Sequence, residues 1–135
     1  MTGLIREIWC SLRALPLWVQ IWVFVILVPV NCAAILYLGD PYGVAVAMLA
    51  IGGMFPNAIL IVVERGFSRA MSLSHLLLWG PLIALLVWIL AGDVAMPDGY
   101  RRFIWLLFFV DGISLAFDVP DALKWLRGDR AVAGK

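Results

Sequence analysis

Four apolar stretches, Leu17 to Leu38, Gly43 to Val63, His75 to Gly92 and Tyr100 to Phe117, divide the chain, and charged residues gather outside them. Each stretch falls within the roughly 17 to 25 residues that a helix needs to cross the hydrocarbon core of a bilayer. The links between them, Gly39 to Tyr42, Glu64 to Ser74 and Asp93 to Gly99, are short and rich in turn and capping residues. Short links make successive helices antiparallel neighbours. The pattern therefore predicts an all-α polytopic membrane protein: a four-helix transmembrane bundle in up-down-up-down order, forming a single integral membrane domain over residues 1–135.

Two flanking segments follow a different pattern. Ahead of the first span, Leu4, Ile5, Ile8, Trp9, Leu12 and Leu15 share one arc of a helical wheel, and Arg6, Glu7 and Arg13 occupy the other. That is an amphipathic helix suited to lie on the cytoplasmic surface, with Pro16 bending the chain into the first span. After the fourth span, DVPDALKWLRGDR predicts a second amphipathic helix, capped by Asp118, with Pro120 in its first turn and Gly128 at its stop. Trp125 and the basic residues around it then sit at headgroup level, beside anionic lipid.

Composition agrees: 64% of the residues are hydrophobic and 14% charged, well above the roughly 45 to 50% apolar content of soluble domains. A net charge of +1 leaves no basic face for nucleic acid. Cys10 and Cys32 form neither a C-x-x-C motif nor a disulfide framework and read as free thiols. Arg6, Arg13, Arg65, Arg69, Lys124, Arg127, Arg130 and Lys135 fall on one side of the spans, and only Arg101 and Arg102 on the other. The positive-inside rule then places both termini in the cytoplasm. The first apolar run continues past the roughly 7 to 15 residues of a signal-peptide core, so it reads as an uncleaved first helix, fitting a bacterial inner membrane.

Polar residues inside the spans carry the chemical interest. Asp111 interrupts FIWLLFFVDGISLAF, and a carboxylate at membrane depth costs roughly a few kcal/mol unless it is paired or lines a pathway. At about 100° per residue, Asp111, Ser114, Asp118 and Asp121 fall in one quadrant of the fourth helix and its extension. Gln20 and Asn31 mark the inner face of the first helix; Gly43, Ala47, Ala50, Met54, Asn57 and Glu64 mark that of the second. Counted at about 1.5 Å per residue, Asn31 and Asp111 lie at the same depth, so Asn31, Asp111 and Ser114 are expected to form an intramembrane polar seam.

Nearer the cytoplasm, Asn57, Glu64, Arg65, Arg69, His75 and Asp118 all approach the inner ends of their helices. They are expected to form either an ion-pair cluster or a site for an anionic lipid headgroup. Pro29, Pro56 and Pro81 lie within spans, and the Gly52-Gly53 pair ahead of Pro56 makes the second span a place for a kink. Gly112 with Ala116, and Gly80 with Ala84, are small-xxx-small pairs suited to contact with another chain.

The expectations for function follow by elimination. One histidine cannot supply paired histidine ligation of haem, and no H-E-x-x-H, G-x-S-x-G or Walker-type loop is present, so the chain is expected to be noncatalytic, without metal or cofactor. The leading expectation is an accessory subunit or assembly factor of a membrane complex, partnered by lipid and by copies of itself or other membrane subunits. The alternative is a homo-oligomeric proton-linked channel or transporter that uses Asp111.

Overall fold

The computed structural model describes residues 2–135, which form five helical segments. The first, α1 (Thr2–Ala14), is the amphipathic segment. The other four, α2 (Leu17–Tyr37), α3 (Gly43–Val63), α4 (Ala70–Ala91) and α5 (Asp98–Leu126), are long and apolar enough to cross a membrane. Among the described residues there is no strand, only one isolated bridge between Ser68 and Val132. The central helix α4 packs against α3 and α5, while α2 packs against α3 and meets α5 along a shorter seam.

The core of this bundle is a column of fully buried apolar side chains, Leu82, Leu86 and Ile89 from α4 against Ile104 and Leu107 from α5. The outside is just as apolar. Met48 and Phe55 on α3, Leu77 and Trp88 on α4, and Phe109 on α5 all project outward. In water such a surface would aggregate; in lipid it is the surface a helical bundle needs, because every backbone group of a spanning helix is satisfied internally.

Two boundaries differ from the sequence pattern. Helix α4 begins at Ala70, not His75, since SLS continues the helix instead of ending the loop. The fourth span and the expected tail helix are one continuous helix, α5, which runs through Pro120 to Leu126. Asp118 does not cap a new helix there, because its carboxylate is engaged by His75 of α4 at 3.0 Å. Pro120 lacks an N–H to donate and its ring crowds the Ala116 carbonyl, yet the helix continues past it to Leu126. Gly128, with φ +96°, ends this segment as expected.

The first span is the irregular one. Within α2, Leu17–Ile21 is α-helical, Trp22–Leu27 is π-helical, Val28–Cys32 is α-helical again and Ala33–Tyr37 is a 3-10 turn. Pro29 explains the widened turn: its ring crowds the carbonyl four residues earlier, at Val25, and it has no N–H to donate. A π-helical stretch relieves that crowding and changes which way the preceding side chains point.

At Gly53 the α3 backbone lies directly against the Trp79 side chain of α4. A Cβ on Gly53 would lie 2.2 Å from the Trp79 indole nitrogen, whereas Gly52 faces open space. Trp79 is fully buried there and donates its Nε1 hydrogen to the Ala50 carbonyl at 3.1 Å.

The two ends of the bundle are closed differently. At one end Tyr37 stacks on Phe103 at 4.6 Å, and Tyr100 donates its hydroxyl hydrogen to the Pro41 carbonyl at 2.7 Å. At the other, basic end, α1, the 64–69 link and the segment after α5 lie together. Phe67 N donates to Ser11 Oγ at 2.9 Å, Ala133 N donates to the Phe67 carbonyl at 2.8 Å, and Glu7 accepts from Arg65 at 2.5 Å. Ile5 and Trp9 of the α1 apolar arc remain exposed, the faces an interfacial helix turns to lipid.

Candidate functional site

The polar side chains inside the bundle form a line along α5. Deepest is the Asn31–Asp111 pair, both fully buried. Asn31 Nδ2 donates to Asp111 Oδ1 at 2.7 Å and to the Leu27 carbonyl of its own helix at 2.9 Å. Both amide hydrogens are thereby engaged. Asn31 Oδ1 and Asp111 Oδ2, both acceptors, have no partner among the described residues. Buried polar atoms in folded proteins are almost always hydrogen-bonded, so these two side chains form the most strongly desolvated polar contact of the bundle.

One turn along α5, Ser114 does not bond Asp111. Its Oγ accepts from Trp22 Nε1 at 2.9 Å, a contact the sequence reading missed. The π-helical turn begins at Trp22, and Pro29 was the sequence signal for it. The indole would otherwise carry an unsatisfied N–H in an apolar setting, which costs about 1 to 3 kcal/mol.

Two turns along, about 10 Å from Asp111 at 1.5 Å per residue, Asp118 accepts from His75 Nδ1 at 3.0 Å. His75 Nε2 accepts from Asn57 Nδ2, and Asn57 Oδ1 accepts from Ser74 Oγ at 2.5 Å. The imidazole ring also stacks on Trp79 at 4.1 Å with only 5° between the planes. Asn57, His75 and Asp118 thus belong to one network joining α3, α4 and α5, and Ser74 completes it.

The remaining members of the expected cluster lie apart from this network. Arg65 pairs with Glu7 of α1, and Arg69 with Asp129 at 2.6 Å and Asp121 at 3.4 Å. Glu64 contributes its backbone carbonyl to Lys135 Nζ at 3.4 Å. The six residues therefore divide into an enclosed hydrogen-bonded group and an exposed set of ion pairs on the basic end.

Beside this line lies a cleft of about 390 Å³ between α2 and the basic-end halves of α4 and α5. Trp18, Trp22, His75, Ser114, Phe117 and Asp118 contribute to its wall. A second cavity of about 340 Å³ shares Val19, Val23, Asp118 and Asp121 with it and reaches Arg69. Of the small-residue pairs, Gly112 faces Ile83 of α4, whereas Gly80 faces open space. Among the described residues no three His, Cys, Asp or Glu side chains gather as a metal-ligand set.

The fold and this polar line define a four-helix bundle of membrane-span candidates with a carboxyl group enclosed near the middle of one span. The chain matches no family model, no curated protein and no solved structure, so the reading of its function rests on these residues alone.

Proposed function

We propose that the protein is a noncatalytic, proton-linked channel or transporter of a bacterial inner membrane, with both termini in the cytoplasm and Asp111 as the proton-carrying group. The observation that carries this reading is Asp111 itself, a carboxyl group fully buried near the middle of α5 and hydrogen-bonded to the equally buried Asn31. Ser114, Asp118 and Asp121 continue the same face of α5 toward the basic end, and the adjoining cavities border three of these side chains. Tyr37, Tyr100 and Phe103 close the opposite end, so loading from the cytoplasmic side needs the smaller rearrangement. Intramembrane carboxyls placed in this way are the usual elements of proton relays.

The test is flux in liposomes containing a pH-sensitive dye, with the purified protein reconstituted and a proton gradient imposed. Asp111→Asn keeps the size of the side chain and removes the titrating group, so proton-coupled flux is expected to vanish. Undiminished flux through Asp111→Asn overturns the reading.

An accessory subunit or assembly factor is the second reading, favoured by the outward face of α4. Gly80 and Ala84 leave a shallow strip there between exposed Leu77 and Trp88, a shape that admits a close helix from another chain. The mass and composition of the tagged protein extracted in mild detergent separate the two: a stoichiometric membrane partner supports this reading, and a lone homo-oligomer supports the first. Anionic headgroups are the expected neighbours of this end in either case. Loss of retained anionic lipid in mass spectra of Arg65→Ala plus Arg69→Ala checks whether those two guanidiniums take part.

A further inference from the structure

The cleft between α2 and α5 has a chemistry of its own. Along α2, Trp18 and Trp22 stand one turn apart and face α5, where Phe117 packs against Trp18 with ring centroids 5.6 Å apart. The His75 imidazole lines the same space. Aromatic rings thus supply several walls of a cavity of about 390 Å³, within the usual size of small-molecule sites.

The charged groups at this cleft do not balance. Asp118 and Asp121 line it. Among the described residues no lysine or arginine lines it: Asp118 is hydrogen-bonded to His75 Nδ1, and Asp121 lies 3.4 Å from Arg69, whose nearer partner is Asp129 at 2.6 Å. Asp121 and Asp129 therefore share the one Arg69 guanidinium. An anion is repelled by this arrangement, and a neutral apolar molecule makes no use of the carboxylates. Calcium or magnesium needs about six oxygen ligands, which the aromatic walls cannot supply, and among the described residues no three His, Cys, Asp or Glu gather here for another metal. Aromatic faces combined with excess carboxylate suit an ammonium group with apolar substituents, which gains cation–π attraction and charge pairing together.

We infer that the α2–α5 cleft binds an ammonium-bearing amphiphile, held between the Trp18, Trp22 and Phe117 rings and the Asp118 and Asp121 carboxylates. The ammonium belongs either to a lipid headgroup or to a free amine that enters from the inner leaflet. The inference names a solute class for the proposed transporter but stands on residues other than Asp111.

The test is titration of benzyltrimethylammonium into the full-length protein in maltoside micelles, read by tryptophan fluorescence and by calorimetry. Saturable binding is expected, weakened about two- to fivefold in Asp121→Asn and in Phe117→Leu, the worth of one partly exposed cation contact of this kind. Asp121 is half exposed, so its amide variant is the one least prone to misfold; Asp118→Asn provides the deeper probe. Competition by added phosphatidylethanolamine but not phosphatidylglycerol assigns the site to a lipid headgroup, and indifference to both assigns it to a free amine. No saturable binding by wild type, or equal binding by wild type and both aspartate variants, overturns the inference. Asp111→Asn is expected to bind the probe normally. Failure of binding with intact Asp111-dependent flux therefore removes this inference alone, and normal binding without flux removes the proton reading alone.

Discussion

Asn31 and Asp111, eighty positions apart in the chain, meet at 2.7 Å in a place no solvent reaches, and each keeps one oxygen without a partner. This pair joins the irregular first span to the last one. Asn31→Leu removes the donor and leaves the Asp111 carboxyl alone, so a loss of about 1 to 3 kcal/mol is expected in denaturant unfolding of the detergent-solubilised protein. Asp111→Asn preserves an amide partner and is expected to cost less. Replacing both residues with Leu should recover much of the loss, since an apolar pair leaves nothing unsatisfied.

The close approach of α3 and α4 gives a sharper contrast between two adjacent glycines. Gly53→Ala drives a methyl group into the indole of Trp79, a rigid ring that is fully buried and hydrogen-bonded to the Ala50 carbonyl. Overpacking of this kind costs about 1 to 3 kcal/mol and should lower the thermal midpoint. Gly52→Ala meets nothing within 4 Å and is expected to leave the midpoint unchanged or raise it slightly.

Trp22 and Ser114 form the second link between α2 and α5. A double-mutant cycle of Trp22→Phe and Ser114→Ala is expected to give a coupling energy of about 0.5 to 1.5 kcal/mol, the net worth of one hydrogen bond. A coupling near zero would mean that α2 is held in place by apolar packing alone.

His75 holds together side chains from three helices. Its replacement by Ala leaves the Asn57 amide and the Asp118 carboxylate without their partner and removes the ring stacked on Trp79. A loss of about 2 kcal/mol or more is expected. His75→Gln, which retains a hydrogen-bonding group near the same place, should fall between Ala and wild type in the same unfolding assay.

Orientation is tested by cysteine accessibility in intact cells, starting from a variant in which Cys10 and Cys32 are Ser. Asp93→Cys, in the exposed link between α4 and α5, is expected to react with a membrane-impermeant maleimide from outside. Asp129→Cys, beyond α5 at the basic end, is expected to react only after the membrane is opened. The reverse pattern would invert the topology drawn from the distribution of Lys and Arg.

Much of the architecture was legible along the chain, because apolar runs of membrane-spanning length are dictated by composition, with no need for knowledge of neighbours. Leu17, Gly43 and Val63 mark helix boundaries in both pattern and structure. The common depth of Asn31 and Asp111 was likewise readable, since helical rise converts sequence position directly into height. Asp118 was misread as a cap: a capping residue and a tertiary partner look alike in sequence, and only the arrival of His75 from α4 distinguishes them.

What the sequence determined by itself is the set of spans, their lengths, the amphipathic character of α1 and the concentration of basic charge at one end, all of which follow from local periodicity and the cost of placing polar groups in hydrocarbon. The tertiary structure alone decided the partners: Ser114 with Trp22, Ser74 and Asn57 with His75, Arg65 with Glu7, and Arg69 with Asp129. It also decided that the π-helical turn of α2 contributes Trp22 and Leu27 to an aromatic and acidic cleft beside α5. The physical reason is that helix rotation and crossing are set by side-chain packing and hydrogen bonds between spans, while hydropathy specifies only that each span lies in the membrane.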